Sequence, residues 1–122
     1  MTNKAKRAVI SIAGIEVEVF QMPNGEYAMS QTQVAQAINM VESGFRRFLQ
    51  SKEAKVLLGN DLGFVAISIA GTGRAINAVP INIVSLFWNY QSHNGSDKAF
   101  ALVNACVIEA LERRYDNAWF QK

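Results

Sequence analysis

Basic side chains are concentrated between Ser43 and Lys55 in this sequence. Four of them lie in that stretch, set against the single acidic residue Glu53: Arg46, Arg47, Lys52 and Lys55. An arginine donates two parallel hydrogen bonds to guanine, and a glutamine such as Gln50 pairs in the same way with adenine. The stretch therefore has the chemistry of a nucleic-acid surface. Solvated charges on an ordinary pair of core helices are the alternative.

Side chains that carry catalysis or hold metals are few. His93 is the only histidine, and Cys106, the only cysteine, is expected to be a small buried apolar residue. Neither a zinc site nor a Ser-His-Asp triad can be built from them. Glu16 and Glu18 share one face of a strand and are candidate Mg²⁺ ligands for a nuclease, although this spacing is more typical of the solvated face of a sheet. We expect no enzymatic activity, no cofactor and no metal.

The composition is typical of one folded domain. The chain has 122 residues, of which 50% are hydrophobic and 18% charged, and its formal net charge is +2. These values argue against disorder, and the weak net charge means that nucleic-acid affinity depends on where the charges lie. No apolar run approaches the roughly 20 residues that span a bilayer, so we expect no membrane partner and a cytoplasmic location. Residues 1–7 are predicted to be a basic flexible tail, and residues 8–122 a single compact domain.

Two pairs of strands are predicted, one on each side of the basic stretch. Residues 8–20 are rich in valine and isoleucine, and Gly14 divides them as a turn or a bulge. From Ile15 to Val19 apolar and polar side chains alternate, as in a half-buried strand. The turn sequence at 23–25 then leads into a short returning strand at 26–29. Farther along, segments 64–69 and 74–79 flank a glycine-rich turn. The predicted fold class is α+β, with two small antiparallel hairpins and about four helices.

The first helices lie between the two hairpins. Ser30, followed three residues later by Gln33, is the capping-box pattern that starts a helix. Asn39 tolerates the left-handed backbone conformation found at helix ends. A second helix is predicted from Glu42, and it either continues or restarts after Ser51 until the glycine at 59.

Two further helices are predicted in the last third of the chain. Residues 81–91, which follow Pro80, are apolar on most sides, as in a helix that lies centrally or at an interface. Ser96 is placed to cap the final helix. Its predicted inner face consists of five apolar residues: Phe100, Val103, Val107, Ala110 and Leu111.

Segment 31–50 has the pattern of a helix-turn-helix pair. Such a pair needs a small residue where the helices touch, which Ala35 supplies, and apolar inner faces, which are supplied by Val34, Ile38, Phe45 and Phe48. The second helix then exposes candidate DNA-binding residues, which the following segment extends: Ser43, Arg46, Arg47, Gln50, Lys52 and Lys55. Arg74, in the second hairpin, is placed either like a wing that contacts the DNA backbone or minor groove, or as an ordinary solvated arginine of a hairpin.

The order of these elements resembles a known family. A hairpin, the segments GEYAMSQTQVAQAI and FRRFLQSKEAKVLL, a second hairpin and further helices follow one another over residues 9–112. This is similar to the KilA-N and BRO-N group of phage and large-virus DNA-binding domains, which also occur in phage antirepressors. The residues that match the group's pattern are Gly25, Tyr27, Ala35, Phe45, Arg46 and Phe48, the last standing where the group often has tryptophan. The resemblance implies DNA binding by the second helix.

Two functions of different classes follow from these patterns. The first is a DNA-binding module of a small phage-type or mobile-element regulator, whose partner is double-stranded DNA. The second is a protein-interaction module, an antirepressor or an inhibitor of a host system, which acts through the apolar 81–90 helix and binds a protein partner. A homodimer is expected in either case if the 81–90 helix or the aromatic residues near the C-terminus supply its interface.

Overall fold

The computed structural model describes residues 4–58, 65–68 and 74–120. Within these ranges the chain forms five strands and five helices, which confirms the predicted α+β class. In chain order they are β1 (Lys6–Ile12), β2 (Ile15–Gln21), β3 (Tyr27–Ser30), α1 (Gln31–Gln36), α2 (Glu42–Leu49), α3 (Lys52–Leu58), β4 (Val65–Ser68), β5 (Ala75–Pro80), α4 (Ile81–His93) and α5 (Asp97–Phe120).

The two predicted hairpins belong to one antiparallel sheet with the strand order β1-β2-β3-β5-β4. Ala13 and Gly14 have φ angles of 53° and 78°, so Gly14 is a turn residue, and segment 8–20 forms two paired strands. The hairpin of β4 and β5 is also present, although its predicted turn at 71–73 lies outside the described residues. The two parts join because β3 pairs with β5, with Met29 opposite Val79.

The main core lies between one face of this sheet and the helices. Val17, Met29 and Val79 face inward from β2, β3 and β5, and they belong to one buried cluster with residues of all five helices. α4 is the central helix of that cluster, since Ile83, Val84, Phe87 and Trp88 are all buried. The sequence predicted that the apolar helix after Pro80 lies either centrally or at an interface. Its buried residues show that it lies in the core.

A smaller apolar cluster lies on the opposite face of the sheet and corrects the predicted tail. Ala5 is completely buried with Phe20, and Met22 and Ile76 pack against them. Strand β1 begins at Lys6, which pairs with Gln21. The basic tail predicted for residues 1–7 is therefore wrong for residues 5–7, because the hydrogen bonds of β2 hold this segment in the sheet.

The final helix buries a different face from the predicted one. Ala99 and Leu102 are buried against α4, and Val103 is partly buried. Of the other predicted inner residues, Phe100, Val107, Ala110 and Leu111 are all exposed. Cys106 is exposed as well, so the expectation that it is buried is also wrong. α5 carries two apolar stripes, and only the one that reaches α4 enters the core.

Candidate functional site

The start of α1 is held by two side chains. The Ser30 hydroxyl accepts a hydrogen bond from the Gln33 backbone N–H at 3.1 Å, which confirms Ser30 as the N-cap. The Gln33 side chain does not complete the capping box. Its carbonyl oxygen accepts a hydrogen bond from the Glu18 backbone N–H at 3.2 Å, so this side chain ties α1 to β2.

A tight turn joins α1 to α2. Asn39 has a φ of 60°, which confirms the predicted left-handed position. The Met40 N–H donates to the carbonyl of Ala35 at 3.0 Å and closes the turn. Ala35 is completely buried on α1, a helix in direct contact with α2. The small residue is therefore buried in the main core beside this turn, which agrees with its predicted place between the two helices.

The inner side of the helix pair is anchored on α4. The rings of Phe45 and Phe48 lie edge-on to Phe87, with centroid distances of 4.9 and 5.2 Å. The Trp88 indole N–H donates to the Val34 carbonyl at 2.9 Å. Aromatic packing therefore fixes α2, and a buried hydrogen bond fixes α1, so the outer face of α2 has a defined orientation.

The outer face of α2 carries the predicted polar residues. Ser43, Arg46, Arg47 and Gln50 are all exposed, and their spacing of three, four and seven residues places them on one side of the helix. Arg46 donates to the Glu42 carboxylate at 2.7 Å, one turn earlier. In the described part of the chain Arg47 makes no ion pair. Glu42 thus holds Arg46 in place and offsets part of the positive potential around it. Arg47 has no such acidic partner among the described residues.

Glu42 also connects the two helices of the pair. Its second carboxylate oxygen accepts a hydrogen bond from the Thr32 hydroxyl at 2.7 Å. An acidic side chain in the first turn of α2 is favoured by the helix dipole. The same carboxylate therefore stabilises the start of α2, its contact with α1 and the position of Arg46.

The basic stretch continues on a separate helix. The Ser51 hydroxyl accepts a hydrogen bond from the Ala54 N–H at 3.2 Å and donates to the Phe48 carbonyl at 2.6 Å. Ser51 thus ends α2 and starts α3, which decides between the two predicted alternatives. Lys52 and Lys55 are exposed on α3.

Arg74 lies at a polar cleft and is held by an acidic residue. Its guanidinium donates to Glu18 at 2.8 Å, and Arg7 bonds to the same carboxylate oxygen. The cleft has a volume of about 360 Å³, and Glu42 lies on its wall. Glu18 and Glu42 thus hold the two arginines, Arg74 and Arg46, beside one cleft. Arg74 is thus bonded to the sheet yet about half exposed, and its part as a wing on DNA stays a prediction.

Several polar residues at this cleft were not among the binding residues predicted from the sequence. Thr32, Gln33 and Gln36 from α1 and Asn77 from β5 line it. Their amide and hydroxyl groups are hydrogen-bond donors and acceptors of the kind that contact phosphate and base edges. The polar residues after Ser30 were a readable signal on α1, whereas Asn77 reaches the cleft only through the pairing of β3 with β5.

The Glu18 carboxyl group has a shifted acidity. Burial alone would raise the pKa of Glu18, but the hydrogen bonds from Arg7 and Arg74, with the charges of both guanidiniums, outweigh this effect and lower the pKa below its ordinary value. A carboxylate with a lowered pKa in the folded state stabilises the fold at neutral pH. This contribution is lost as the pH falls through the lowered pKa.

We expect Glu18→Gln to destabilise the fold at neutral pH by about 0.5–1 kcal/mol, because both arginines are roughly half exposed and the pairs are screened by solvent. Urea unfolding at several pH values measures this effect. The difference from wild type should shrink as the pH drops below the ordinary glutamate value of 4.5. Glu16→Gln, on the same strand face, is the matched control, because no ion pair of Glu16 occurs in the described residues. An equal loss in both variants would contradict the assignment.

Other candidate chemistry is sparse in the described residues. His93 is exposed in the last turn of α4. Within residues 4–58, 65–68 and 74–120, no three histidine, cysteine or acidic side chains come together as a metal site. None of the described helices combines the length and apolar character needed to cross a membrane. Comparison of the chain with protein-family models, curated proteins and solved structures finds no match.

Proposed function

We propose that this chain is a non-enzymatic, cytoplasmic DNA-binding module that presents α2 to double-stranded DNA. One observation carries the proposal. The inner face of α2 is locked to α4 through Phe45 and Phe48, while the opposite face exposes two adjacent arginines, Arg46 and Arg47. A rigidly held helix with outward arginines and polar residues has the features of a recognition helix in the major groove.

The surrounding charges give each basic residue a distinct part in this proposal. Arg47, Lys52 and Lys55 are exposed cations suited to phosphate contacts, which supply affinity. Arg46 is positioned by Glu42, so its planar donor group is presented in a defined orientation suited to a base edge. Because Glu42 offsets part of the positive charge, we expect moderate affinity that depends strongly on salt.

A relationship to the KilA-N and BRO-N group, and a role in a phage-type or mobile-element regulator, are part of the same proposal. The matched turn residue Gly25 has a φ of 90°, a conformation that favours glycine. The matched alanine and aromatics, Ala35, Phe45 and Phe48, are buried in the helix pair. These positions support the proposal because the matched glycine lies in a turn and the matched alanine and aromatic residues lie in the two helices.

Fluorescence anisotropy with random duplex DNA tests the DNA-binding proposal. At about 50 mM salt we expect the double variant Arg46→Ala/Arg47→Ala to bind about tenfold more weakly than wild type, with a salt dependence shallower by about one to two units of slope. Glu42→Gln should bind more tightly than wild type, because it removes a negative charge beside Arg46.

Arg113→Ala/Arg114→Ala is the matched control for this experiment. It removes the same charge from another exposed pair of adjacent arginines, on α5. If this control loses as much affinity as the α2 variant, the binding surface is not α2. If folded wild type binds no DNA at about 50 mM salt, the proposed function is wrong.

The structure also bears on the protein-interaction alternative. Most apolar side chains of the 81–90 helix belong to the core, and Ile81 is the exception, with 56% of its surface exposed. The exposed apolar residues of α5 now offer the larger surface for a protein partner.

A further inference from the structure

α5 extends well beyond the part that packs on the domain. Its 24 residues correspond to a length of about 36 Å. Burial is confined to the first turns, at Ala99 and Leu102, and every residue from 106 to 119 is exposed. An isolated helix of about 14 residues, the length of this exposed half, is only marginally stable in water. Contact with a partner would therefore stabilise it.

The side of α5 that faces away from α4 is largely apolar along the length of the helix. Six large apolar residues, here called the α5 stripe, fall within about 120° of the helix circumference at 3.6 residues per turn: Phe100, Val107, Ile108, Leu111, Tyr115 and Trp119. The acidic residues Glu109, Glu112 and Asp116 lie outside this arc. Trp119 is 79% exposed. This is the pattern of a helix that places one face in an apolar groove.

An apolar groove of matching character lies beside α4. Two adjoining concavities of about 370 and 310 Å³ share Ile81, Val84 and Trp88 as a common floor, and we call them together the α4 groove. One wall is the inner face of β1–β3, including Ile10, and the other wall is α5 near Cys106.

These two surfaces account for most of the exposed apolar residues. Twelve large hydrophobic residues are exposed in the described chain, and nine of them lie on the α5 stripe or at the α4 groove, where Ile10, Tyr27 and Ile81 are the exposed ones. Among the described residues, no side chain of α5 after Leu102 is buried. A second copy provides both a groove for the helix and a helix for the groove.

We propose that two copies of this chain associate about a two-fold axis, each laying its α5 stripe in the α4 groove of the other. Two-fold symmetry creates the same helix-in-groove contact twice. The three aromatic residues of the stripe are 59–79% exposed, so each can bury roughly 90–200 Å² of the 150–250 Å² of a whole aromatic residue. With both stripes and both grooves covered, the buried area reaches the range of about 1,200–2,000 Å² that is typical of stable complexes.

Sedimentation equilibrium of the full chain, without DNA, tests the proposal. Wild type should shift from a mass of 13.5 kDa to twice that value as its concentration rises. Leu111→Glu on the stripe and Ile81→Lys in the groove should each weaken association on the order of 100-fold, because each places a charge in an apolar contact. Asn117→Glu, an exposed position outside the stripe on the same helix, should leave association unchanged. Circular dichroism establishes that each variant is folded.

Mixing the two interface variants distinguishes this arrangement from direct pairing of the two α5 helices. A heterodimer of Leu111→Glu and Ile81→Lys keeps one intact contact, and in the other contact the new charges are opposite. Association should therefore be stronger in the mixture than in either variant alone. If Ile81→Lys dimerises like wild type, or if wild type is monomeric at about 100 µM, the proposal is overturned. Binding of a different protein to the groove in place of self-association also overturns it.

Cys106 provides a second readout inside the groove. Partial burial raises the pKa of the Cys106 thiol, and Glu109 raises it further, so its alkylation is followed at one fixed alkaline pH. The alkylation rate should fall as wild type associates and stay constant with concentration in Leu111→Glu. If the alkylation rate of wild-type Cys106 does not change on association, no partner helix covers the α5 wall of the groove, and the proposed docking is contradicted. Both association experiments are done without DNA. A negative result in them therefore rejects the dimer and does not bear on the proposed DNA binding.

Discussion

Replacing Phe87 with alanine should lower the free energy of unfolding by about 3–5 kcal/mol, the range for deleting a large buried aromatic side chain. Phe87 is completely buried, and its ring contacts those of Phe45 and Phe48 edge-on. The substitution leaves a cavity and removes two aromatic pairs at once. Urea unfolding followed by circular dichroism measures the loss. Since domains of this size are stable by about 5–15 kcal/mol, a large fraction of the variant should be unfolded by mild denaturant.

Phe87→Leu is the control for this prediction. Leucine keeps most of the buried volume, so the loss should be clearly smaller than for alanine. If Phe87→Ala costs less than about 1 kcal/mol, Phe87 does not anchor α2 to α4. The Leu variant also separates stability from function: it keeps a folded domain in which α2 is held less rigidly. We expect its DNA affinity to fall although no exposed cation has changed.

Local features of the fold were predictable because short-range chemistry determines them. Ser30 caps α1, and Asn39 and Gly25 adopt the positive φ angles that their residue types favour. Ser51 restarts a helix through its own hydroxyl. In each case the interaction is completed within a few residues, so the sequence pattern contains all the information that is needed.

Features that depend on distant pairing were not predictable in the same way. β3 and β5 join the two hairpins into one sheet, but their pairing residues, such as Met29 and Val79, are fifty positions apart. The inner face of α5 was assigned to the wrong stripe for a related reason. Periodicity identifies an apolar stripe but cannot tell which of two stripes meets α4, because that depends on the angle at which α5 leaves the turn at Gly95.

The candidate site shows the same division. The exposure of Arg46 and Arg47 followed from helical periodicity, since Phe45 and Phe48 had to face inward. The salt bridge from Glu42 to Arg46 has the readable spacing of four residues. The bond from Arg74 to Glu18 spans 56 positions and exists only because the sheet brings β2 near the start of β5. Sequence reasoning therefore found the cations but missed their pairing with Glu42 and Glu18.

Those carboxylates change how the surface is understood. A basic patch that binds DNA only through net charge needs no internal acidic partners. Here Glu42 orients Arg46, and Glu18 orients Arg74, at the cost of some positive charge. Such an arrangement favours defined hydrogen-bond geometry over long-range attraction. It is consistent with the proposal that a chain with a net charge of only +2 reads DNA through a few well-placed donors.

Replacing Ala35 with leucine should destabilise the domain by an amount near the upper end of the roughly 1–3 kcal/mol that is typical of overpacking. Ala35 is completely buried on α1, and its own carbonyl accepts the hydrogen bond that closes the turn between α1 and α2 at Met40. A larger side chain must therefore push the helices apart or distort that turn. Thermal unfolding measures the loss, and DNA anisotropy measures the displacement of α2. Because the exposed arginines are unchanged, weaker DNA binding at a temperature where the variant is folded would show that the helix geometry itself matters.

Gln36→Leu is the matched control, since Gln36 is the next residue along α1 and is exposed. It adds the same side chain to the same helix without entering the contact, so its effect on stability should stay within about 0.5 kcal/mol. If Ala35→Leu is as stable as this control, the helices have room at their contact and are not closely packed there. If it is unstable yet binds DNA with wild-type affinity while folded, the exact angle between α1 and α2 is not what positions Arg46 and Arg47. The two measurements together therefore separate the role of Ala35 in folding from its role in presenting α2.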